Sequence, residues 1–256
     1  MENGPEREPL IILTGPTAVG KTALSIQLAR RVGGEIISAD SMQVYRHMDI
    51  GSAKITRDEM GGVRHHLIDV LEPEEEFHVA TFQKMAKEAM REIRSRGAIP
   101  IIVGGTGFYI QAVLYDIDFT PNPEDPSIRA HLKELARREG PAYLHGMLRE
   151  VDEEAAAQIH ANNVKRVIRA LEFSMQTGER ISAHNERERR KEAAYRACYF
   201  VLNDSRERIY ERIDSRVDEM ISAGLVDEVK RLAQRGCTRH MVSMQGLGYK
   251  EILGFL

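Results

Sequence analysis

The sequence predicts an α/β fold in which a parallel sheet is flanked by helices and interrupted by an inserted all-helical domain. Short, continuously apolar runs at 10–13, 35–40 and 98–103 are typical of strands buried on both faces of a parallel sheet. Between the last two runs, apolar residues recur at helical spacing from 79 to 94. The chain from 121 to 196 is instead very polar and helical in pattern, which predicts the insertion.

The first apolar run leads directly into a glycine-rich loop and a helix. The loop reads G-x-x-x-x-G-K-T, which is the P-loop arrangement of strand, loop and helix. Its glycines let several backbone N–H groups turn toward one oxyanion, and the helix adds its positive N-terminal end. The lysine supplies a charge to phosphate oxygens, and the threonine offers a hydroxyl to Mg²⁺. The predicted diphosphate or triphosphate site consists of Gly15, Pro16, Thr17, Ala18, Val19, Gly20, Lys21 and Thr22.

A carboxylate, Asp40, follows the second apolar run. Ligands of open α/β sheets bind outside the carboxyl ends of the strands, so we expect Asp40 at the strand end next to the P-loop. A bare carboxylate beside a phosphate is unfavourable unless it binds a metal or accepts a proton. The alternative is an ordinary helix N-cap.

A glycine-rich turn follows the strand at 98–103. Many P-loop nucleotidases carry an aspartate there that holds magnesium, but this chain has Gly104, Gly105, Thr106 and Gly107. Glycines at a strand end let a bulky group approach the backbone closely, and Thr106 would offer it a neutral hydrogen-bonding group. The pattern therefore argues against simple phosphoryl transfer.

Residues 47–66 contain several glycines and end in two histidines, and they indicate a loop region over the site. Adjacent histidines point in different directions on a helix or a strand, and no cysteine or carboxylate stands at ligand spacing. A structural or substrate-lining role for His65 and His66 is therefore favoured over a metal site. The stretch 67–70 is a candidate for a short strand.

Three prolines within 121–126 mark a boundary, so we expect the P-loop core to comprise 8–120 and 197–256, with the insertion at 121–196. Most basic residues of the insertion are interleaved with glutamates and indicate solvated helix surface.

One segment of the insertion, 162–172, has a different charge pattern. On a helix, its basic residues Lys165, Arg166 and Arg169 lie along one side, and no acidic residue closely precedes them. We call these three residues the basic face. It is the best candidate in the insertion for contact with a phosphate backbone.

The last part of the chain predicts helices. Arg208, Arg212 and Arg216 recur every four residues, a spacing that often serves only salt bridges. A P-loop site needs an arginine from elsewhere to meet developing charge, so one of the three is a candidate for that role. The chain stops at Leu256 in a helical pattern without a polar tail, and we therefore expect a truncated chain.

The composition limits the class of protein. The 256 residues carry 36 Lys and Arg against 39 Asp and Glu, a net charge of −3, so any nucleic-acid surface must be local. Cys198 and Cys237 lie far apart without metal spacing, which argues against a disulfide scaffold or a zinc site. The polar start, 1–9, has no apolar signal core, and no run is long enough to span a bilayer. We expect a cytoplasmic monomer.

Six motifs, in order and over nearly the whole chain, resemble those of the tRNA dimethylallyltransferase family, also called tRNA isopentenyltransferase. They are GPTAVGKT at 15–22, SADSMQVYR at 38–46, GGTGFY at 104–109, NNVKRVIRALE at 162–172, RIDSRVDEMISAGLVDEV at 212–229 and QGLGYKE at 245–251. The P-loop by itself is weak evidence for one family, but DSMQVY directly after the second strand is highly specific.

The resemblance implies a P-loop NTPase-like core with an inserted helical domain that grips the anticodon stem-loop of tRNA. It also implies transfer of a dimethylallyl group from dimethylallyl diphosphate to the exocyclic amine of the adenine on the 3′ side of the anticodon. The diphosphate would leave from the P-loop, with Mg²⁺ on Thr22. Asp40 would be the general base, and Arg216, with Arg212 as second choice, would meet the departing charge beside Lys21.

The tRNA contacts implied by the resemblance lie in five parts of the chain. They are Asp40, Ser41, Met42 and Gln43, then Thr106 and Arg129, then Lys165, Arg166, Val167, Ile168 and Arg169, and finally Gln245, Gly246, Leu247, Gly248, Tyr249 and Lys250. Family members usually continue with a basic segment that adds to the tRNA surface, and this chain has none, so tRNA affinity is expected to be weaker. A zinc-finger extension of the eukaryotic type is also absent, which suggests a bacterial-type enzyme.

Other functions fit the sequence less well. A P-loop kinase would carry an acidic residue where Gly104 and Gly105 stand, and an RNA-binding module without activity has no use for a P-loop beside a carboxylate. An ordinary prenyl synthase would use a DDxxD motif, which is missing. The related adenylate isopentenyltransferase shares the core, but the basic insertion favours a macromolecular acceptor.

Overall fold

The computed structural model describes residues 7–119 and 126–256. Its strands are β1 Pro9–Thr14, β2 Gly34–Ser38, β3 His65–His66, β4 Ile99–Gly104 and β5 Arg196–Val201. They form one sheet of order β3-β2-β4-β1-β5, in which every pairing is parallel. The predicted α/β fold with a parallel sheet is confirmed.

The helices cover the sheet or form the insertion. They are α1 Lys21–Val32, α2 Arg57–Met60, α3 Val79–Ser95, α4 Gly107–Leu114, α5 Pro126–Glu139, α6 Pro141–Val151, α7 Glu153–Gln158, α8 Val164–Thr177, α9 Ile181–Arg189, α10 Arg206–Ser222, α11 Leu225–Gln234 and α12 Tyr249–Phe255, with a 3-10 helix at Ser243–Gln245. In the described residues, no helix combines the length and apolar composition that crossing a membrane requires.

Successive strand residues point to opposite sides of the sheet, and along β1, β2 and β4 residues on both sides are buried, whereas the edge strand β5 is mostly exposed. Ile12 and Ile102 belong to the core that packs against α3 and α4. Ile36 and Ile101 belong to a separate core on the side of α1. This two-sided burial explains why the strands read as continuous apolar runs.

The strand order corrects one expectation. β1 pairs with β4 and β5, whereas β2 pairs with β4, so β4 separates the strand before the P-loop from the strand before Asp40. The prediction that Asp40 stands at the adjacent strand end was therefore wrong. The ends still lie close, because Thr14 Oγ1 donates to the Gly104 oxygen at 2.8 Å and a Cβ at Gly104 would lie 2.3 Å from the Ala39 oxygen. The path of the crossover sets this order, and no local pattern reveals it.

The prediction of a short strand at 67–70 was also wrong. The strand is formed by the two preceding histidines, and Leu67 and Asp69 have φ of 62° and 55°, which an extended strand cannot contain. His66 Nε2 lies 2.7 Å from Glu35 Oε2. In the described part of the chain, no cluster of three or more His, Cys, Asp and Glu could hold a metal ion.

The chain divides into two compact units. The first unit consists of Met1–Asp116 and Ala193–Leu256, and the second unit is Ile117–Glu192. The first contains the sheet, and the second contains α5 to α9. That these units are separate domains with limits near 121 and 196 stays a prediction. The proline-rich boundary at 120–125 and the start at 1–6, on which other predictions rested, lie outside the described residues.

The second unit has its own core, which includes the fully buried Leu144 and Leu171. A buried aspartate, Asp152, joins two of its helices. One carboxylate oxygen accepts from the Ala155 N–H at 3.0 Å and caps α7, and the other accepts from the Ser182 N–H at 2.9 Å at the start of α9.

Candidate active site

The loop between β1 and α1 has the conformation that the motif predicts. Gly15 has φ 147°, and a Cβ there would lie 2.4 Å from the backbone oxygen of Leu202. Gly20, with φ 93°, is the N-cap of α1. Lys21 begins the helix, and its Nζ donates to the backbone oxygens of Gly15 at 2.8 Å and Pro16 at 2.7 Å. The ammonium group is thus held against the loop, where an incoming phosphate oxygen would meet it.

Two other charges act on Lys21. Burial lowers the pKa of Lys21, the negative charge of Asp40 opposes this shift, and the positive charge of Arg216 adds to it. The site therefore combines two cations and one carboxylate at the carboxyl ends of the strands. A bound anion of several charges would offset the repulsion between the two cations.

The half-buried Asp40 is fixed by the chain that follows it. Its Oδ1 accepts from the backbone N–H of Met42 at 2.8 Å and of Gln43 at 3.3 Å. No helix begins there, so the alternative of an ordinary helix N-cap was wrong. Within the described residues, Oδ2 has no hydrogen-bond partner. One oxygen thus orients the carboxylate, and the other is free to accept a proton or bind a cation.

Helix α10 brings arginines to the loop. Arg212 Nη1 donates to the Ala18 oxygen at 3.4 Å, and its Nη2 lies 3.0 Å from Asp204 Oδ2. Arg216 is less exposed than Arg212, and its charge adds to the effect of burial in lowering the pKa of Lys21. Both arginines thus act on the loop, Arg212 through its hydrogen bond to Ala18 and Arg216 through its charge on Lys21, and the preference for Arg216 stays a prediction.

Two threonine hydroxyls remain available in this site. Thr106 is the N-cap of α4, and its side chain makes no cap hydrogen bond. Thr22 is an exposed residue in the first turn of α1, and its hydroxyl has no partner within 7–119 or 126–256. Burial, with a smaller contribution from Asp40, raises the pKa of the nearby Tyr109. The neutral hydroxyls can therefore bond a substrate, and Thr22 can also bind a cation.

The segment 245–250 packs against the loop after Asp40. A Cβ at Gly246 would lie 2.5 Å from the sulfur of Met42. Tyr249 is fully buried and its hydroxyl donates to Glu228 at 2.6 Å, so its side chain supports the segment from inside. The exposed side chains are those of Gln245, Leu247 and Lys250, while Gly246 and Gly248 have none.

The second unit presents the predicted basic face on α8. Lys165, Arg166 and Arg169 are all exposed, and none forms an ion pair within the described residues. Val167 and Ile168 are buried in the core of this unit, so their side chains are not available to a ligand.

Arg129, also in the second unit, is bound differently from the basic face. It makes a bidentate pair with the buried Glu172, with its Nη2 2.6 Å from Oε2. Its guanidinium is therefore held in a fixed position.

Sequence reasoning missed Glu228, a buried carboxylate on α11. Leu225, Glu228, Val229 and Leu232 are the buried residues of this helix, so the glutamate occupies a position in its apolar stripe. A charged residue at a core position was the available signal.

The parallel sheet and the glycine loop between β1 and α1 define a P-loop protein. Within that class the chain belongs to the IPP transferase family, whose sequence model matches residues 43–256. The predicted family and its transferase class are confirmed.

Two relatives illustrate the similarity in sequence. The chain is 62% identical over 249 residues to a tRNA dimethylallyltransferase of Lachnoclostridium phytofermentans, covering 97% of this chain and 80% of the relative. It is 51% identical over 249 residues to the enzyme of the same name from Carboxydothermus hydrogenoformans, with the same coverage.

Solved structures show the same relationship. The full-length tRNA isopentenylpyrophosphate transferase of Bacillus halodurans is 45% identical with a TM-score of 0.69, covering 97% of this chain and 77% of that one. A eukaryotic dimethylallyltransferase acting on tRNA is 30% identical with a TM-score of 0.86, covering 97% of this chain and 63% of that one.

Proposed function

We propose that the protein transfers a dimethylallyl group from dimethylallyl diphosphate to the exocyclic amine of the adenine that follows the anticodon of a tRNA. The observation that carries the proposal is the P-loop Lys21, held against the Gly15 and Pro16 oxygens, together with the backbone-oriented carboxylate of Asp40, whose charge acts on this lysine. It puts an oriented carboxylate next to a site for a leaving diphosphate, in a chain whose relatives carry the name of this activity.

The donor diphosphate binds in the P-loop. The N–H groups of the loop and the start of α1 face its oxygens, and Lys21 and Arg216 stabilise the charge that develops as the bond between carbon and oxygen breaks. The free hydroxyl of Thr22 fits Mg²⁺, which prefers oxygen ligands and is usually held by few protein groups together with phosphates. When bound, Mg²⁺ would supply further charge stabilisation to the diphosphate.

The adenine amine attacks the allylic carbon, the diphosphate leaves, and the amine loses a proton. Asp40 Oδ2 accepts this proton, because Oδ1 is already bonded to two backbone N–H groups. A positioned general base contributes about 100- to 10,000-fold. Thr106 offers a neutral hydrogen bond to the base, which must leave its stack at a cost of a few kcal/mol.

The basic face of α8 and the exposed residues of 245–250 contact the tRNA. The face is unpaired in the described residues, and a solvated cation cluster without acidic partners suits phosphate oxygens. This arrangement favours a macromolecular acceptor over a free nucleotide.

The experiment is transfer from labelled dimethylallyl diphosphate, with unmodified tRNA and AMP as parallel acceptors. We expect label in tRNA alone. Label only in AMP would assign the protein to nucleotide prenylation, and no label in either acceptor would contradict the proposal.

The role of Asp40 is tested by Asp40→Asn in single-turnover transfer. We expect a loss of about 100- to 10,000-fold with tRNA binding preserved. Asp58→Asn is the matched control, because Asp58 is an exposed aspartate of the same unit whose side chain has no partner in the described residues. Normal chemistry in Asp40→Asn would exclude Asp40 as the base.

A further inference from the structure

The buried Glu228 makes four hydrogen bonds at a place that the proposed chemistry does not use. Its Oε2 accepts from the backbone N–H of Asp49 and of Ile50, both at 2.9 Å. Its Oε1 accepts from the N–H of Gly51 at 3.2 Å and from the hydroxyl of Tyr249 at 2.6 Å. Three consecutive N–H groups thus converge on one carboxylate, which is the arrangement of an anion in a backbone nest.

The segment bound by Glu228 is built around this carboxylate. A Cβ at Gly51 would lie 2.6 Å from the ring of Tyr249 and 2.8 Å from the side chain of Leu225, so only glycine fits. Burial, and next the hydrogen bond to Glu228 and its negative charge, raises the pKa of the Tyr249 hydroxyl, which stays a hydrogen-bond donor. The loop, α11 and α12 are thereby held together at one point.

The same segment is tied to the residues around Asp40. Gln43 Nε2 donates to the backbone oxygens of Ser52 at 3.4 Å and Ala53 at 3.2 Å. The buried ammonium of Lys54 donates to the Tyr45 oxygen at 2.6 Å. Gln43 in turn donates its backbone N–H to Asp40 Oδ1. A continuous set of contacts therefore runs from Glu228 through 49–54 to the carboxylate of Asp40.

We propose that Glu228 is a positioning residue for the transfer reaction: it fixes the segment 49–54, which holds Gln43 and thereby the orientation of Asp40. This inference rests on the proposed function of Asp40 as the base. Glu228 touches neither substrate and acts only through these contacts. A misplacement of about 1 Å at a reacting group can lower a rate about 100-fold, so its effect is on the chemical step.

A glutamine at 228 tests the inference, because it keeps the size of the side chain. Its amide oxygen can still accept, but its NH₂ group is a donor and would face N–H groups that are donors too. We expect Glu228→Gln to lower the single-turnover rate at saturating tRNA and donor about 10- to 100-fold, without weakening binding of labelled dimethylallyl diphosphate. Hydrogen exchange of the amides of Asp49, Ile50 and Gly51 should accelerate.

The matched control is Glu35→Gln. Glu35 is also a largely buried carboxylate of the first unit, bound to His66 and Arg96, but it lies on β2 at the opposite end of the strand from Asp40. This control should lower stability while leaving the saturated single-turnover rate within about twofold of wild type, because in the described residues the side-chain partners of Glu35 are His66 and Arg96 and not the 49–54 segment.

Each outcome decides the inference. Equal rates for Glu228→Gln and Glu35→Gln, or unchanged exchange at 49–51, would overturn it. If Glu228→Gln does not fold, Tyr249→Phe decides: a slower saturated rate with faster exchange of the Gly51 amide supports the inference, and no change in either overturns it.

The wild-type protein separates the two proposals. If wild-type protein transfers no label to tRNA, the proposed function is wrong, but the role of Glu228 is still testable. Hydrogen exchange of the Met42 and Gln43 amides, which bond Asp40, then reports whether Glu228 influences the orientation of that carboxylate. Unchanged exchange at these two amides in Glu228→Gln would overturn the coupling.

Discussion

A methyl group added at Gly15 should damage the P-loop for two separable reasons. The backbone φ of 147° disfavours any residue with a Cβ, at a cost of about 1–3 kcal/mol. The Cβ would also lie 2.4 Å from the backbone oxygen of Leu202, which cannot easily retreat because the Leu202 N–H donates to Thr14 at 2.8 Å. Overpacking of this kind costs about 1–3 kcal/mol more. We therefore expect Gly15→Ala to destabilise β1 and β5 by about 2–6 kcal/mol.

Gly20→Ala is the control that separates strain from collision. Gly20 also has a positive φ, 93°, but a Cβ there meets nothing within 4 Å. Its substitution should cost only about 1–2 kcal/mol. The measurement is hydrogen exchange of the β1 and β5 amides in urea, which reports the local opening free energy of these strands. If Gly15→Ala proves no more destabilising than Gly20→Ala, the close approach to the Leu202 oxygen contributes nothing to stability, and the predicted steric cost is refuted.

Other predictions concern charge. Alanine at all three positions of the basic face should weaken tRNA binding and reduce the slope of log binding constant against log salt concentration by about three. An unchanged slope would show that the basic face does not contact the tRNA backbone. Arg216→Gln should weaken diphosphate binding more than Arg212→Gln, since Arg216 acts on Lys21, and titration with inorganic diphosphate would show the reverse order if the assignment is wrong. The Arg96 guanidinium lowers the pKa of Glu35 from 4.5 to about 2. The ionised Glu35 carboxylate therefore stabilises the folded protein above about pH 4.5, and this contribution disappears as the pH falls toward 2. The difference in unfolding free energy between wild type and Glu35→Gln should shrink over that range, and a difference independent of pH would contradict it.

The sequence predicted the elements that local patterns determine. Continuous apolar runs gave β1, β2 and β4, and helical spacing gave α3 at almost its observed limits. The P-loop followed from its glycines and lysine. Local patterns failed at β3, where only His65 and His66 form the strand and Leu67 and Asp69 take positive φ. So short a strand is decided by its pairing with β2 and not by the strand propensity of its residues.

The residues of the candidate site could be proposed from the sequence because residue types at strand ends limit what can bind there. Their arrangement could not. The strand order that puts β4 between the P-loop and Asp40 and the convergence of 49–51 on Glu228 both depend on contacts between residues far apart in the chain. Such contacts follow from how the elements pack and cross over. By itself, the sequence determined the class of fold and the groups available for chemistry, and only the tertiary structure decided which of these groups meet, because proximity is created by packing and not by spacing along the chain.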